Sequence, residues 1–310
     1  MLNLTANDKL EGQPVFIRQI LKKMGQNNKE YYHLEVSSGV KNYDAKIWYN
    51  KLSIAREITP GCIAYIWGTA REFKGTIQIH IDNIEPVTNP AKELLEELLP
   101  SSSLEEMKLS DEIDLIIESI NTPEIKSLLK YIFKSPEIKN GFFKKAAGAE
   151  IHHAYVGGLA EHTLEVAKTV IHFCSLFKYI NYDIAVAAAL LHDIGKVREL
   201  SDFPENRYTT DGRLLGHIYM GTEILNSAAS QIDNFPKKIL VELQHCILSH
   251  HGTQEAGSPV LPMTIEATAL HHADKASAEI NGFNLAIQRD CGTDEWTEYN
   301  SIYKRYIKKR

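Results

Sequence analysis

No stretch of this 310-residue chain approaches the ~18–20 consecutive apolar residues that a membrane span requires. The longest apolar run, Ile184–Leu191, is much shorter and ends on His192-Asp193. The N-terminus, MLNLTANDKL, lacks a basic segment followed by an apolar core, so no secretory signal is read there. The four cysteines, Cys62, Cys174, Cys246 and Cys291, are scattered and form no CxxC. That spacing argues against a disulfide framework and points to reduced thiols in a cytoplasmic protein. Positive charge is also short: 34 Lys+Arg stand against 40 Asp+Glu, a net of −6. The chain is therefore no general polycation, and a nucleic-acid partner would need a local basic surface or metal ions. There is no internal repeat, no low-complexity tract and no readable signature of a homo-oligomer. What the chain does have is histidine in one place. Eleven of its thirteen histidines lie between His152 and His272, and only His33 and His80 lie outside.

Composition changes along the chain. Residues 1–90 carry 11 Lys/Arg against 9 Asp/Glu, and their patterning is that of strands. Val15–Leu21 is a short apolar run. Tyr31–Val36 and Tyr43–Trp48 alternate around Ser37-Ser38-Gly39, and Cys62–Ala70 and Thr76–Ile84 form a second pair near Lys74-Gly75. A short helix is expected over Asn50–Ile58, stopped by Pro60-Gly61. Five strands with a helix between the third and fourth is the order of an OB-type β-barrel. Pro90–Leu99 reads as a short amphipathic helix ended by Pro100 and three serines. From Asp111 onward apolar residues recur at three and four, which predicts helices over Ile113–Ile120, Ile125–Phe133, Leu159–Phe177, Ile184–Leu191, Leu215–Ala229, Lys237–Leu248 and Ile265–Ile280. The expected fold is thus multidomain: a five-stranded barrel over 1–88, a helical linker over 89–110 and an all-α bundle over 111–310. The last seven residues, KRYIKKR, hold five positive charges. They read as a solvated helix end or as a contact for phosphates.

The chemistry concentrates in LLHDIGK, Leu190–Lys196. An apolar helix that runs directly into His192-Asp193 places a carboxylate where burial is costly unless it is paired or metal-bound. Imidazole and carboxylate together suit Mn, Fe, Co or Zn. Other candidate ligands occur in order along the chain: His162 in GGLAEHTLEVA, His217 in LLGHIYMG, His250 and His251 in SHHG, and Asp274 in ALHHADKAS. Each histidine alone would more often be a packed or surface residue. The ordered set on separate predicted helices is the stronger signal.

That order, H…HD…H…H…D over about residues 140–285, resembles the HD-domain metal-dependent phosphohydrolases. The resemblance implies one ion held by His162, His192, Asp193 and Asp274. It implies a second, where present, held by His217 and His250 with Asp193 bridging, and His251 as the substitute for His250. Two ions about 3.5–4 Å apart suit phosphodiester cleavage, because they activate water and clamp developing oxyanions. A narrower resemblance follows. HHAYVGGLAEHT, LLHDIGK, and ILSHHG followed by GSPVLP are similar to the YhaM family of 3′–5′ exoribonucleases, which joins an N-terminal OB domain to a C-terminal HD domain at about this length. Membership implies metal-dependent RNA degradation from the 3′ end of single-stranded RNA, often of single-stranded DNA, to nucleoside 5′-monophosphates, with Mn(II) the usual activator and one or two ions per chain.

The catalytic candidates are Asp193, Lys196 and His153. Lys196 is a point charge for a substrate phosphate, or else a solvated helix-end lysine. His152 or His153 would reach the scissile phosphate or the leaving oxygen. Lys144 and Lys145 would form a basic rim. His245, His271 and His272 are expected to pack or to orient ligands, and His172 to be structural. With Leu34, Val36, Ala45 and Ile47 inward, alternation turns Tyr31, His33, Lys46 and Trp48 outward. The loop Arg71-Glu72-Phe73-Lys74 joins them at the barrel rim. Tyr31, Lys46, Trp48, Arg71, Phe73 and Lys74 are therefore the candidate RNA contacts on the barrel. The rival functions are a nucleotide or cyclic-nucleotide phosphohydrolase and a non-enzymatic RNA-binding adaptor.

Overall fold

Period-two patterning builds the first unit. In the computed structural model, which describes residues 2–25, 28–39, 41–73, 75–98, 106–148, 155–203, 206–290 and 294–309, five strands close into a barrel. They are β1 (Lys9–Met24), β2 (Glu30–Ser38), β3 (Lys41–Ile47), β4 (Ile63–Phe73) and β5 (Thr76–Pro86). The order around the barrel is β1-β2-β3-β5-β4, and β4 returns to β1. Only β3 and β5 run parallel. This is the OB arrangement, and closure removes the exposed edges of an open sheet.

β1 is much longer than the apolar run Val15–Leu21 suggests, because one strand must serve two neighbours for the barrel to close. Its first half, Lys9–Phe16, pairs with β4, and its second half, Phe16–Met24, pairs with β2. The register shifts between Glu11 and Gln13 and again between Ile17 and Gln19, the bulges that let one strand turn between partners. Leu10, Val15, Ile17, Leu34, Val36, Ala45, Ile47, Ile66, Ile79 and Ile81 fill the interior. The helix between β3 and β4 is a 3-10 helix over Tyr49–Ala55, slightly ahead of the expected Asn50–Ile58.

The chain divides differently from the expected scheme. The first unit comprises Met1–Pro100 together with Phe283–Arg310, and the second comprises Ser101–Gly282. The short helix α1 (Lys92–Leu98) belongs with the barrel: the Gly39 N–H donates to the Leu98 carbonyl at 3.0 Å. The C-terminal segment belongs to this first unit, so the expected helical domain 111–310 is shorter at its end. Nor is KRYIKKR a frayed helix end. Trp296 pairs with Lys308 and Asn300 with Arg305, so the segment doubles back on itself. Local periodicity carries no signal for such a return.

The second unit is helical: α2 (Glu106–Glu118), α3 (Pro123–Lys134), α4 (Pro136–Gly141), α5 (Gly158–Leu176), α6 (Tyr182–Leu191), α7 (Lys196–Glu199), α8 (Thr210–Ala229), α9 (Lys237–Ser249) and α10 (Ile265–Arg289), whose last residues pass into the first unit. The short helices α4 and α7 are too brief to show a period. α6 is apolar on every face, and every residue from Asp183 to Leu191 is buried. A helix of that kind belongs in the centre of a bundle, so its C-terminal end delivers His192-Asp193 into the core.

The entrance to α6 is also fixed. Asp183 accepts from the N–H groups of Asn121 and Thr122, at 3.1 and 2.7 Å, and from the Thr122 hydroxyl at 2.6 Å. Burial pushes its carboxyl up, but hydrogen bonds from Thr122 and Asn121 outweigh that and hold it below its ordinary range. A depressed carboxylate stabilises the fold above its unfolded pKa and loses that contribution as pH falls through the folded value. Asp183→Asn should therefore lower the unfolding free energy by about 1–3 kcal/mol at neutral pH. Urea midpoints should show the gap to wild type closing in acid.

Candidate metal centre

Five elements converge on Asp193. α5 carries His162, the end of α6 carries His192 and Asp193, α8 carries His217, the end of α9 leads into His250-His251, and α10 carries Asp274. Two glycines make this convergence possible. A Cβ on Gly195 would meet the His217 carbonyl oxygen at 2.0 Å, so only glycine lets the turn after the doublet touch α8. Gly216, at φ 73° and ψ 157°, breaks α8 one residue before His217.

The two oxygens of Asp193 address two groups of imidazoles. Its Oδ2 lies 3.4 Å from Nε2 of His192 and 3.5 Å from Nε2 of His162. His162 Nε2 is also 3.1 Å from Oδ1 of Asp274 and 3.3 Å from Nε2 of His192. The other oxygen, Oδ1, lies 3.5 Å from Nε2 of His217 and 3.7 Å from Nε2 of His250. His217, His250 and His251 each place a ring nitrogen within 4.8 Å of the others. His162, His192 and His250 are fully buried, and Asp193 nearly so.

The rings are held so that Nε2 points inward. Nδ1 of His192 donates to the Ala189 carbonyl at 2.8 Å, and Nδ1 of His250 to the Ile247 carbonyl at 2.7 Å. Nδ1 of His217 donates to Glu199 Oε1 at 3.0 Å, and the His217 backbone N–H donates to the same oxygen at 2.9 Å. Nδ1 of His162 meets the Ser277 hydroxyl at 3.0 Å, and that hydroxyl donates to Glu165 Oε2 at 2.6 Å. Carbonyl and carboxylate oxygens only accept, and the Ser277 proton is already directed at Glu165. The proton therefore sits on Nδ1 and the Nε2 lone pair faces the centre.

Electrostatics favour the ligand forms of both carboxylates and of His162, His250 and His251. Burial would raise the Asp193 carboxyl, but Lys196 and His192 hold it well below the usual range. Burial would also raise Asp274, but the neighbouring imidazoles of His162 and His192 hold it low. Burial, with His251 and His192 alongside, pushes His250 well below its ordinary value, and burial lowers His162 and His251 as well. His192 goes the other way: burial lowers it, and Asp193 more than compensates.

A divalent cation fits this donor set. Asp193 Oδ1, His217 Nε2, His250 Nε2 and His251 Nδ1 are buried without a hydrogen-bond partner. Buried polar atoms left in this way are costly unless something completes them, and here they share one centre.

The barrel presents a second chemical surface. Lys46 Nζ lies 5.3 Å from the ring centroids of Trp48 and Phe73 and 5.5 Å from that of Tyr31. Trp48 stands 5.5 Å from both Tyr31 and His80. Arg71 is exposed nearby in the same sheet. Burial lowers the His80 pKa, helped by Arg71 and Lys46, so this ring joins as a neutral aromatic.

Residues 159–279 match the HD domain. The chain is 31% identical over 277 residues to 3′-5′ exoribonuclease YhaM of Bacillus subtilis (strain 168), covering 89% of this chain and 87% of that protein. It is 30% identical over 275 residues to the YhaM protein of Shouchella clausii (strain KSM-K16), covering 89% and 85%. The chain belongs to the YhaM family. Among solved structures, the second OB-fold domain of replication protein A from Methanococcus maripaludis is 14% identical, covers 29% of this chain and 90% of its own, and has a TM-score of 0.22. That likeness is slight, and the barrel class rests on strand order.

Within the YhaM framework, the expected ligands His162, His192, Asp193, His217, His250 and Asp274 all come together. His251 stands beside His250 in the same cluster rather than in its place. Lys196 is not a solvated helix-end lysine: it is buried, with Nζ 2.7 Å from Asp193 Oδ2. Lys145 is not part of a basic rim, since it is buried and bonds the Leu200 carbonyl and Asp202. Lys144 is exposed. His172 is exposed on α5. His271 donates to the His250 carbonyl, whereas His245 accepts from the Met263 N–H. His152, His153 and Lys74 lie outside the described residues. Sequence reasoning missed Glu199, Ser277, Glu165 and His80. Each is an ordinary polar residue whose partner lies elsewhere in the chain. Only Glu199 carried a hint, as an acid three residues after Lys196.

Glu199→Ala should weaken divalent-ion binding about 10–100-fold while the helical fold is kept, and Glu199→Gln should restore part of it through its amide oxygen. Calorimetric titration with Mn(II) measures both.

Proposed function

We propose that this chain degrades single-stranded RNA from its 3′ end to nucleoside 5′-monophosphates, with Mn(II) as the usual activator. One ion would be held by His162, His192, Asp193 and Asp274. The second would be held by His217, His250 and His251, with Asp193 between the two. When bound, such ions would supply an activated water and positive charge against the phosphodiester.

The remaining roles belong to the chain. Asp193 spans both ligand groups through its separate oxygens. Lys196 keeps that carboxylate ionised and brings a fixed cation to a substrate phosphate. Glu199 and Ser277 keep His217 and His162 in the ligand tautomer. His153 is proposed to assist the leaving oxygen. On the barrel, Tyr31, Trp48, Phe73 and His80 offer stacking faces, while Lys46 and Arg71 attract the backbone. Lys74 and Lys144 are proposed as further cations for the RNA backbone. A net acidic chain can hold RNA in this way because the ions and small local faces supply the attraction. Single-stranded DNA offers the same stacking and phosphates and is proposed as a second substrate. No helix of the described residues is long and apolar enough to cross a membrane. A cytoplasmic location is proposed on the reduced-thiol reading of the cysteines.

The observation that carries this reading is the shared Asp193 carboxylate between two imidazole groups, in a chain of the YhaM family. The test is shortening of 5′-labelled RNA by the purified chain with Mn(II). Cleavage should release 5′-mononucleotides from the 3′ end, stop on chelation, and fall about 10³-fold in Asp193→Ala, by analogy with other centres whose chemistry depends on preorganised charge. Intact RNA together with hydrolysed free nucleotides would favour the small-molecule phosphohydrolase instead.

A further inference from the structure

The C-terminal segment is a built structure whose outer face has no assigned role. Thr297 N–H donates to the Ile307 carbonyl at 2.8 Å, and Ile307 N–H donates to the Thr297 hydroxyl at 3.1 Å. Both residues are buried. Asn300 Oδ1 accepts from the N–H groups of Ile302 and Tyr303, each at 3.0 Å, which fixes the turn. Tyr303 packs on Phe283 at 4.7 Å, and the Arg305 guanidinium lies 6.0 Å from the same ring. Lys309 pairs with Asp290. The segment is therefore anchored at its turn and at both arms.

Against that anchoring, its outward residues are the wrong kind for a surface in water alone. Trp296, Tyr299 and Tyr306 are 52%, 54% and 59% exposed, and Tyr299 and Tyr306 form an edge-to-face pair at 5.4 Å. Lys304, Arg305 and Lys308 are exposed among them, and Lys308 lies directly across from Trp296. Among the described residues, no carboxylate makes an ion pair with Lys304 or Lys308. The same segment exposes Asp294, Glu295 and Glu298, none of them ion-paired with Lys304 or Lys308; exposed rings interleaved with cations free of such pairs meet the two needs of a single strand, a stacking face for bases and positive charge for phosphates.

We infer that the hairpin formed by residues 294–309 is a second single-stranded RNA contact, separate in sequence from the barrel face and belonging to the same unit. It rests on the RNA-degrading reading only for the identity of the strand. Its function would be to hold long RNA during successive cleavages, since a dinucleotide presents a single phosphodiester to the metal centre and needs no such hold.

The test uses the full chain with two variants, Trp296→Ala with Tyr306→Ala, and Lys304→Ala with Lys308→Ala. Affinity for a fluorescent 20-nucleotide RNA is measured in chelator over a salt series, cleavage of the 20-mer and of a dinucleotide is measured with Mn(II), and mass is measured by light scattering. The aromatic pair should weaken 20-mer binding about tenfold. The lysine pair should flatten the salt slope by about 1.4, the single-strand value for two contacts. In both, cleavage of the 20-mer should fall relative to the dinucleotide. If wild type cleaves no RNA but the variants still lose 20-mer affinity, the surface stands and the proposed activity falls. Equal losses on both substrates, unaltered 20-mer affinity, or a change in mass at unaltered RNA affinity would each overturn the inference, the last assigning the face to self-association.

Discussion

The helical unit is organised around one buried carboxylate with an oxygen for each of two imidazole groups. Asp193 sits at the end of a helix that is apolar all round, where an isolated charge would cost several kcal/mol. The surrounding structure answers that cost in three ways. Lys196 supplies an ammonium at 2.7 Å. His162, His192, His217 and His250 supply rings whose Nδ1 protons are committed outward. Asp193 Oδ1, His217 Nε2 and His250 Nε2, buried without hydrogen-bond partners, call for a cation. Gly195 is dictated by this arrangement, because any side chain there would push α8 and His217 away from the carboxylate.

The barrel and the helical unit were legible in the sequence to different depths. Strand alternation located the five strands, and the inward set Leu34, Val36, Ala45 and Ile47 is buried as alternation requires. The ends of β1 were illegible, because their pairing is decided by closure and by bulges rather than by apolar runs. The cluster of candidate ligands was legible because the His192-Asp193 doublet interrupts an apolar helix, a local conflict that burial alone does not explain. Their supports were not. Ser277 lies 115 residues from His162, and nothing in its own neighbourhood distinguishes it from a helix-face serine.

The misreadings have the same origin. Lys144-Lys145 looks like one basic feature, yet the chain turns between them and buries Lys145 beside Ala146 and Ala147. KRYIKKR looks like a helix end because its charges are adjacent, whereas its conformation is set by Thr297 and Asn300 on the opposite arm. His250 and His251 look like alternatives because adjacent residues on a helix diverge. They lie just past the last turn of α9, where both rings can face the same side.

The most direct test is anomalous scattering from crystals of the chain grown with Mn(II). Two peaks should flank Asp193, one among His162, His192 and Asp274 and the other among His217, His250 and His251, and both should be lost in Asp193→Ala. A peak remote from Asp193, or two peaks that survive its replacement, would contradict the shared-carboxylate account.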